Sequence, residues 1–268
     1  MNNKIKAVIG DWAGSLVDKG SLAPVYAFID TFKKNHINIT ADDTRQPLMM
    51  GSRKDMHIRQ ILKLKHVNEM WENHYSRPVS EKDIVKLYND LLPIQINYAL
   101  KHNKLIDGAV EFSKELHKRN IKFGITTGYT KKISDQVLID ALKQGLEIDN
   151  VVAGDDVSEG NRPYPYMIFL NMEQMRVVKP SSVLKFDDTV NGIEEGLNAG
   201  CWTVGVAKWS TYTNYDSIEH INNASIDEQN ERTENAKQIL LRAGAHFVVD
   251  DINDIPNIIT FINKNNHH

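Results

Sequence analysis

The chain has 268 residues, 41% hydrophobic and 25% charged, an ordinary globular balance in a length that buries a sizeable core. A net charge of −3 leaves no basic excess for nucleic acid and no acidic tail. The single cysteine, Cys201, excludes an intramolecular disulfide, and no stretch approaches the roughly 20 apolar residues of a membrane helix. The expectation is therefore a cytoplasmic, reducing setting, with neither nucleic acid nor membrane as partner.

Lys4 to Ile9 reads as a short buried strand ending at Gly10-Asp11; its apolar run is too short for a signal peptide. From Ser21 to Asn103 the pattern becomes helical with polar joints, and no strand is expected there. Ala23 to Lys34 has apolar residues at helical spacing. Thr40 followed by Asp43 is an N-cap with an acidic first turn. Lys54 to Leu64 puts Ile58, Ile61 and Leu62 on one face, and Ser80 opens a long helix toward Leu100.

Strands and helices then alternate. Strands are predicted at Ile121 to Ile125, Asp149 to Ala153, Ser182 to Phe186, Trp202 to Val206 and His246 to Val249. Helices are predicted at Gly108 to Arg119, Thr130 to Gly145, Pro163 to Met175, Val190 to Ala199, Glu231 to Ala243 and Ile255 to Asn263. Such alternation points to an α/β fold with a parallel sheet covered on both faces. Residues 1–20 and 104–268 make the core, split after its first strand by an all-helical insert, 21–103. The tail Asn265-Asn266-His267-His268 is polar and carries no expected function.

Ligands of open α/β sheets bind beyond the carboxyl ends of the strands. There the first strand delivers Asp11 and Ala13, and the second delivers Thr126, Thr127, Gly128 and Tyr129. The Ser182 strand delivers Asp187 and Asp188, and Arg162 follows the Asp149 strand. Two carboxylates, a hydroxyl and a guanidinium converging on one crevice suit a phosphoryl group and a divalent cation, with hard oxygen ligands for Mg²⁺. A carboxylate there can attack phosphorus and form an aspartyl phosphate.

The segments Asp11-Trp12-Ala13-Gly14-Ser15, Thr126-Thr127-Gly128-Tyr129-Thr130, Asn161-Arg162-Pro163 and Asp187-Asp188-Thr189 resemble the haloacid dehalogenase superfamily. More narrowly, Ala13 and the insert segment Met50-Gly51-Ser52-Arg53-Lys54-Asp55-Met56-His57-Ile58 resemble the phosphonoacetaldehyde hydrolase (phosphonatase) family. The resemblance implies a Rossmann-like core with a helical cap. It also implies Mg²⁺ held by Asp11, the Ala13 carbonyl and Asp188, Asp11 as nucleophile, and Lys54 as the residue that forms a Schiff base with an aldehyde. His57 would assist proton transfer, and Thr127, Gly128, Tyr129, Arg162 and Met50 would bind a small phosphonate. The implied assembly is a homodimer through the cap.

Phosphatases of the superfamily carry an acid two residues after the nucleophile, where this chain has Ala13. A capped hydrolase acting on another small phosphorylated or phosphonate substrate would share Asp11, Asp188 and Mg²⁺ and have no use for Lys54. Departures from the family pattern are two extra residues between Pro47 and Met50, Gly10 where Phe is common, Ser21 where some members have Cys, and Gly192 where some place a second acid.

Overall fold

The computed structural model describes residues 4–45, 50–158 and 160–265. The inserted residues after Pro47 and the tail beyond Asn265 lie outside the described residues.

Six strands form one parallel sheet: β1 (Ala7–Gly10), β2 (Lys122–Thr127), β3 (Asn150–Ala153), β4 (Val183–Asp187), β5 (Trp202–Val206) and β6 (Phe247–Val249), in the order β3-β2-β1-β4-β5-β6. Every predicted strand is present, with β2 running two residues further than expected, through Thr126 and Thr127. The chain leaves β1 toward β2 on one side and later lays β4 on the other, so the crevice of such a sheet opens at the end of β1.

The segment after β1 folds into α1 (Leu22–Lys34), α2 (Ala41–Thr44), α3 (Lys54–Lys63), α4 (Lys65–Tyr75) and α5 (Glu81–Lys101). Of these, α1, α3, α4 and α5 share their own apolar cluster, including Phe28, Phe32, Ile58, Trp71, Leu87 and Leu91. The expected caps close reciprocally: Thr40 with Asp43 on α2, and Ser80 with Asp83 on α5. Pro93 sits inside α5 without ending it.

Around the sheet lie α6 (Ala109–Lys118), α7 (Lys131–Lys143), α8 (Tyr166–Gln174), α9 (Val190–Asn198), α10 (Ile218–Asn223), α11 (Ile226–Arg242) and α12 (Ile255–Asn265). Val8, Phe123 and Phe186 pack with α6, α7 and α12 on one face. Ala7, Ile9 and Val183 pack with α8 on the other. Two helix predictions of the core need correction, and one core helix was not expected. The helix expected from Pro163 starts at Tyr166, because a proline disfavours helical backbone in the residue before it and Pro165 follows Tyr164. The helix expected from Glu231 starts five residues earlier, where the Ser225 hydroxyl accepts the Glu228 N–H ahead of an acidic first turn. The short α10 was not predicted; six residues are too few for a periodic signal.

Gly10 pairs with Phe186 across β1 and β4. A Cβ on Gly10 would fall 2.2 Å from Phe186 Cζ, so the Phe186 ring of the neighbouring strand fills the space a side chain at 10 would need. Gly10→Ala is expected to destabilise the protein by about 1–3 kcal/mol through overpacking, and adding Phe186→Leu should recover part of that loss. Urea unfolding of the two variants and the wild type checks the pair.

Candidate active site

Asp11 leaves β1 with its N–H still donating to the Phe186 carbonyl at 3.0 Å, which fixes the carboxylate at the mouth of the crevice. Arg162 reaches it from the loop after β3, Nη2 to Oδ1 at 2.7 Å. The same Nη2 donates to the carbonyl and hydroxyl of Thr126, both at 2.9 Å, while Nε donates to Glu195 Oε2 at 3.0 Å. The guanidinium is thus held from three directions.

Asp187 and Asp188 stand at the end of β4. Asp187 Oδ2 accepts from Lys185 Nζ at 2.8 Å, and its Oδ1 accepts from the Thr189 N–H and hydroxyl at 3.0 and 2.7 Å. Asp188 Oδ2 accepts from the Thr211 N–H at 3.1 Å and Ser21 Oγ at 3.3 Å. Buried Asp188 Oδ1 has no hydrogen-bond partner among the described residues. Asp11, Asp187 and Asp188 each offer an oxygen within 4.8 Å of the others, all buried. A Cβ on Gly192 would lie 1.8 Å from Asp187 Cγ, so the Asp187 carboxylate occupies the space a side chain at 192 would need.

Burial and then the Asp187 charge raise the Asp11 pKa against the pull of Arg162 and Lys185. Burial and then the Asp11 and Asp187 charges push Asp188 well above the carboxylate range. Burial also acts on Asp187, but Arg162 and Lys185 overcome it and hold that carboxyl low. Three hard carboxylate donors crowded into one dry space, one of them with an orphaned oxygen, fit a divalent cation.

Across from the strand ends, Lys54 opens α3 and is only 5% exposed. Its Nζ lies 5.8 Å from the centre of the Phe28 ring and 5.9 Å from that of Tyr129. Burial first, and the Arg162 charge second, lower its pKa from 10.5 to about 8, with Asp11 opposing. His57, one turn on, places Nε2 2.9 Å from the Thr44 carbonyl. A carbonyl only accepts, so Nε2 carries the proton and Nδ1 holds the lone pair. Burial, then Lys54, drop the His57 pKa to about 3, so the ring stays neutral.

A small cavity of about 40 Å³ is lined by Asp11, Ala13, Met50, Lys54, Thr127, Gly128, Tyr129 and Arg162, with Pro24, Gly51 and Thr189. Eight of the predicted site residues therefore meet in one space; His57 and Asp188 stand outside its lining. Gly51, at φ +79°, and Gly128 let the two backbones approach, since a Cβ on Gly128 would lie 3.2 Å from the Gly51 carbonyl oxygen. Sequence reasoning missed Lys185, Glu195, Ser21 and Thr211. Lys185 left a usable signal, a cation in the middle of a wholly buried strand. Glu195 and Thr211 left none, since only the tertiary fold brings them to Arg162 and Asp188.

A family model for haloacid dehalogenase-like hydrolases matches residues 5–200. A phosphonoacetaldehyde hydrolase of Paraburkholderia phytofirmans is 36% identical over 95% of this chain and 94% of its own length. One from Syntrophobacter fumaroxidans is 38% identical over 97% and 92%. The crystal structure of a phosphonoacetaldehyde hydrolase-like protein from Oleispira antarctica matches with a TM-score of 0.92 and 38% identity over 97% of this chain and 93% of that one. The fold and the carboxylate cluster therefore belong to a hydrolase of the haloacid dehalogenase type. Within that class, the chain belongs to the phosphonoacetaldehyde hydrolase family.

An NMR titration of the Lys54 Cε resonance is expected to give a midpoint near 8, against about 10.4 for an unperturbed lysine. Since the Arg162 charge depresses that value, Arg162→Met should move the midpoint upward.

Proposed function

We propose that the chain hydrolyses the carbon–phosphorus bond of phosphonoacetaldehyde, giving acetaldehyde and phosphate. The observation that carries this reading is a buried lysine of lowered pKa facing Asp11 across one small cavity, with no acid at Ala13. Breaking a P–C bond directly would expel a carbanion; an iminium on the carbon side supplies an electron sink. The Lys54 amine adds to the aldehyde carbon and, with loss of water, forms that iminium. At pH 7 a lysine with a pKa of about 8 is neutral in about one molecule in ten, about two hundredfold more than an unperturbed one.

The proposed metal is Mg²⁺, with Asp11, the Ala13 carbonyl and Asp188 as its ligands, and when bound it would offset the charge of the phosphonate beside the attacking carboxylate. Thr127 and Arg162 hold the phosphonate oxygens. Asp11 attacks phosphorus, and the P–C electron pair passes into the enamine on Lys54. Water then hydrolyses the aspartyl phosphate, while the enamine takes a proton on carbon and the resulting imine is hydrolysed. His57, one turn from Lys54 on α3, is the residue proposed to assist proton transfer. Met50, Gly128 and Tyr129 wall the substrate and exclude water.

In this reading residues 1–20 and 104–268 are the catalytic core and 21–103 the cap. Trp71 is buried within the cap's own cluster, so the proposed homodimer through the cap rests on the family resemblance. Light scattering is expected to give about twice the chain mass of 30.5 kDa.

Phosphate release from phosphonoacetaldehyde by the wild type and by Lys54→Arg, side by side, tests the reaction. Wild-type turnover with a loss of about a thousandfold or more in the variant is expected, as for removal of a covalent nucleophile. Equal turnover by both would rule out the imine route.

A further inference from the structure

The cap meets the core beside the site through the first turn of α9. Asn191 Nδ2 donates to the Met50 carbonyl at 2.7 Å, and both residues are buried. Two residues earlier, Thr189 presses on the same turn: a Cβ on Gly51 would lie 2.7 Å from its Oγ1. Thr189 is itself fixed by Asp187, which accepts both its N–H and its hydroxyl. The carboxylate loop, the start of α9 and the Met50–Gly51 turn are therefore one continuous mechanical connection.

That turn leads directly into Lys54, the first residue of α3. Fixing the Met50 carbonyl fixes where α3 begins, and with it the direction in which the Lys54 side chain leaves the helix. The bond also borders an opening to solvent. A cleft of about 390 Å³, lined in part by Ser52, Arg53, Arg162 and Asn191, adjoins the catalytic cavity and shares Arg162 with it. If the turn lifts from α9, water gains the lysine from this side.

We infer that Asn191 is a positioning residue: its side-chain amide latches the Met50–Gly51 turn to the core and so holds Lys54 over Asp11 for imine formation. The inference rests on the imine reading above. Asn191 touches neither the reacting carbon nor phosphorus. It acts through the closed cap, biasing the arrangement in which the lysine and the carboxylate share one dry cavity.

The test is borohydride trapping of phosphonoacetaldehyde on the full-length enzyme with Mg²⁺, at aldehyde concentrations below saturation. Asn191→Ala, and Asn191→Leu, which keeps the volume and removes the donor, are expected to form the Lys54 adduct about tenfold more slowly. KM should rise more than kcat falls, the Mg²⁺ affinity should stay at the wild-type value, and the slower trapping should persist when the rate is referred to the folded fraction. A purely structural role would instead lower the melting temperature and leave KM and trapping by the folded fraction unchanged. Gly51→Ala provides the check from the cap side, since its methyl meets Thr189; it should slow trapping in the same way even if the Asn191 variants fold poorly. Wild-type trapping rates and KM in all three variants would overturn the inference while leaving the imine reading intact. A wild type that traps no aldehyde would overturn both.

Discussion

Four carboxylates, those of Asp11, Asp187, Asp188 and Glu195, share one buried space with the cationic side chains of Arg162 and Lys185. Burying charge is costly unless it is paired, and here the negative groups outnumber the positive. The fold is arranged around that constraint. Parallel strands bring the acids to one edge of the sheet, and Lys185 compensates from within β4, far from solvent. Glu195 and Thr126 hold the Arg162 guanidinium in the plane where it faces Asp11. The remaining imbalance is what a divalent cation and a cationic lysine-derived iminium would meet from the other side of the cavity.

The same burial that strains the carboxylates makes the lysine useful. Taken out of water and set near Arg162, Lys54 holds its proton less tightly. An exposed lysine on a cap helix would stay protonated at neutral pH and could not add to a carbonyl. In the proposed mechanism, closure of the cap is therefore a chemical requirement as well as a barrier to water. Small features bring the two parts together: glycine at 51 and 128 where two backbones touch, and the Asn191 amide on α9 that donates to the Met50 carbonyl.

Much of this was legible in the sequence because it is local. Asp11, Thr127 and Asp188 were legible as polar residues at the ends of short apolar strands, a placement fixed by strand period and chain order. Lys54 was different. Nothing in the spacing of α3 separates it from a solvated helix lysine, and only its likeness to a known segment marked it. Glu195, Ser21 and Thr211 were missed because their partners lie far away in sequence: Glu195 meets Arg162 across 33 positions, and Ser21 meets Asp188 across 167. Lys185 was missed although its partner Asp187 stands two residues on. Helix starts were the weakest part of the reading, as at Tyr166 and Ile226, where prolines and a serine cap override the apolar period. The Asp187 and Gly192 pair became intelligible only in three dimensions, where one carboxylate fills the other's missing side chain.

The central claim is that the surplus of buried negative charge at the strand ends is the seat of a divalent cation. Thermal unfolding with Mg²⁺ and with a chelator, for the wild type and Asp188→Asn, tests it most directly. The wild type is expected to melt higher with Mg²⁺. In chelator at neutral pH, Asp188→Asn should melt above the wild type, because it removes a buried carboxyl whose raised pKa costs stability there, and it should no longer respond to Mg²⁺. A wild type indifferent to Mg²⁺, together with an Asp188→Asn protein less stable than the wild type in chelator, would contradict the account.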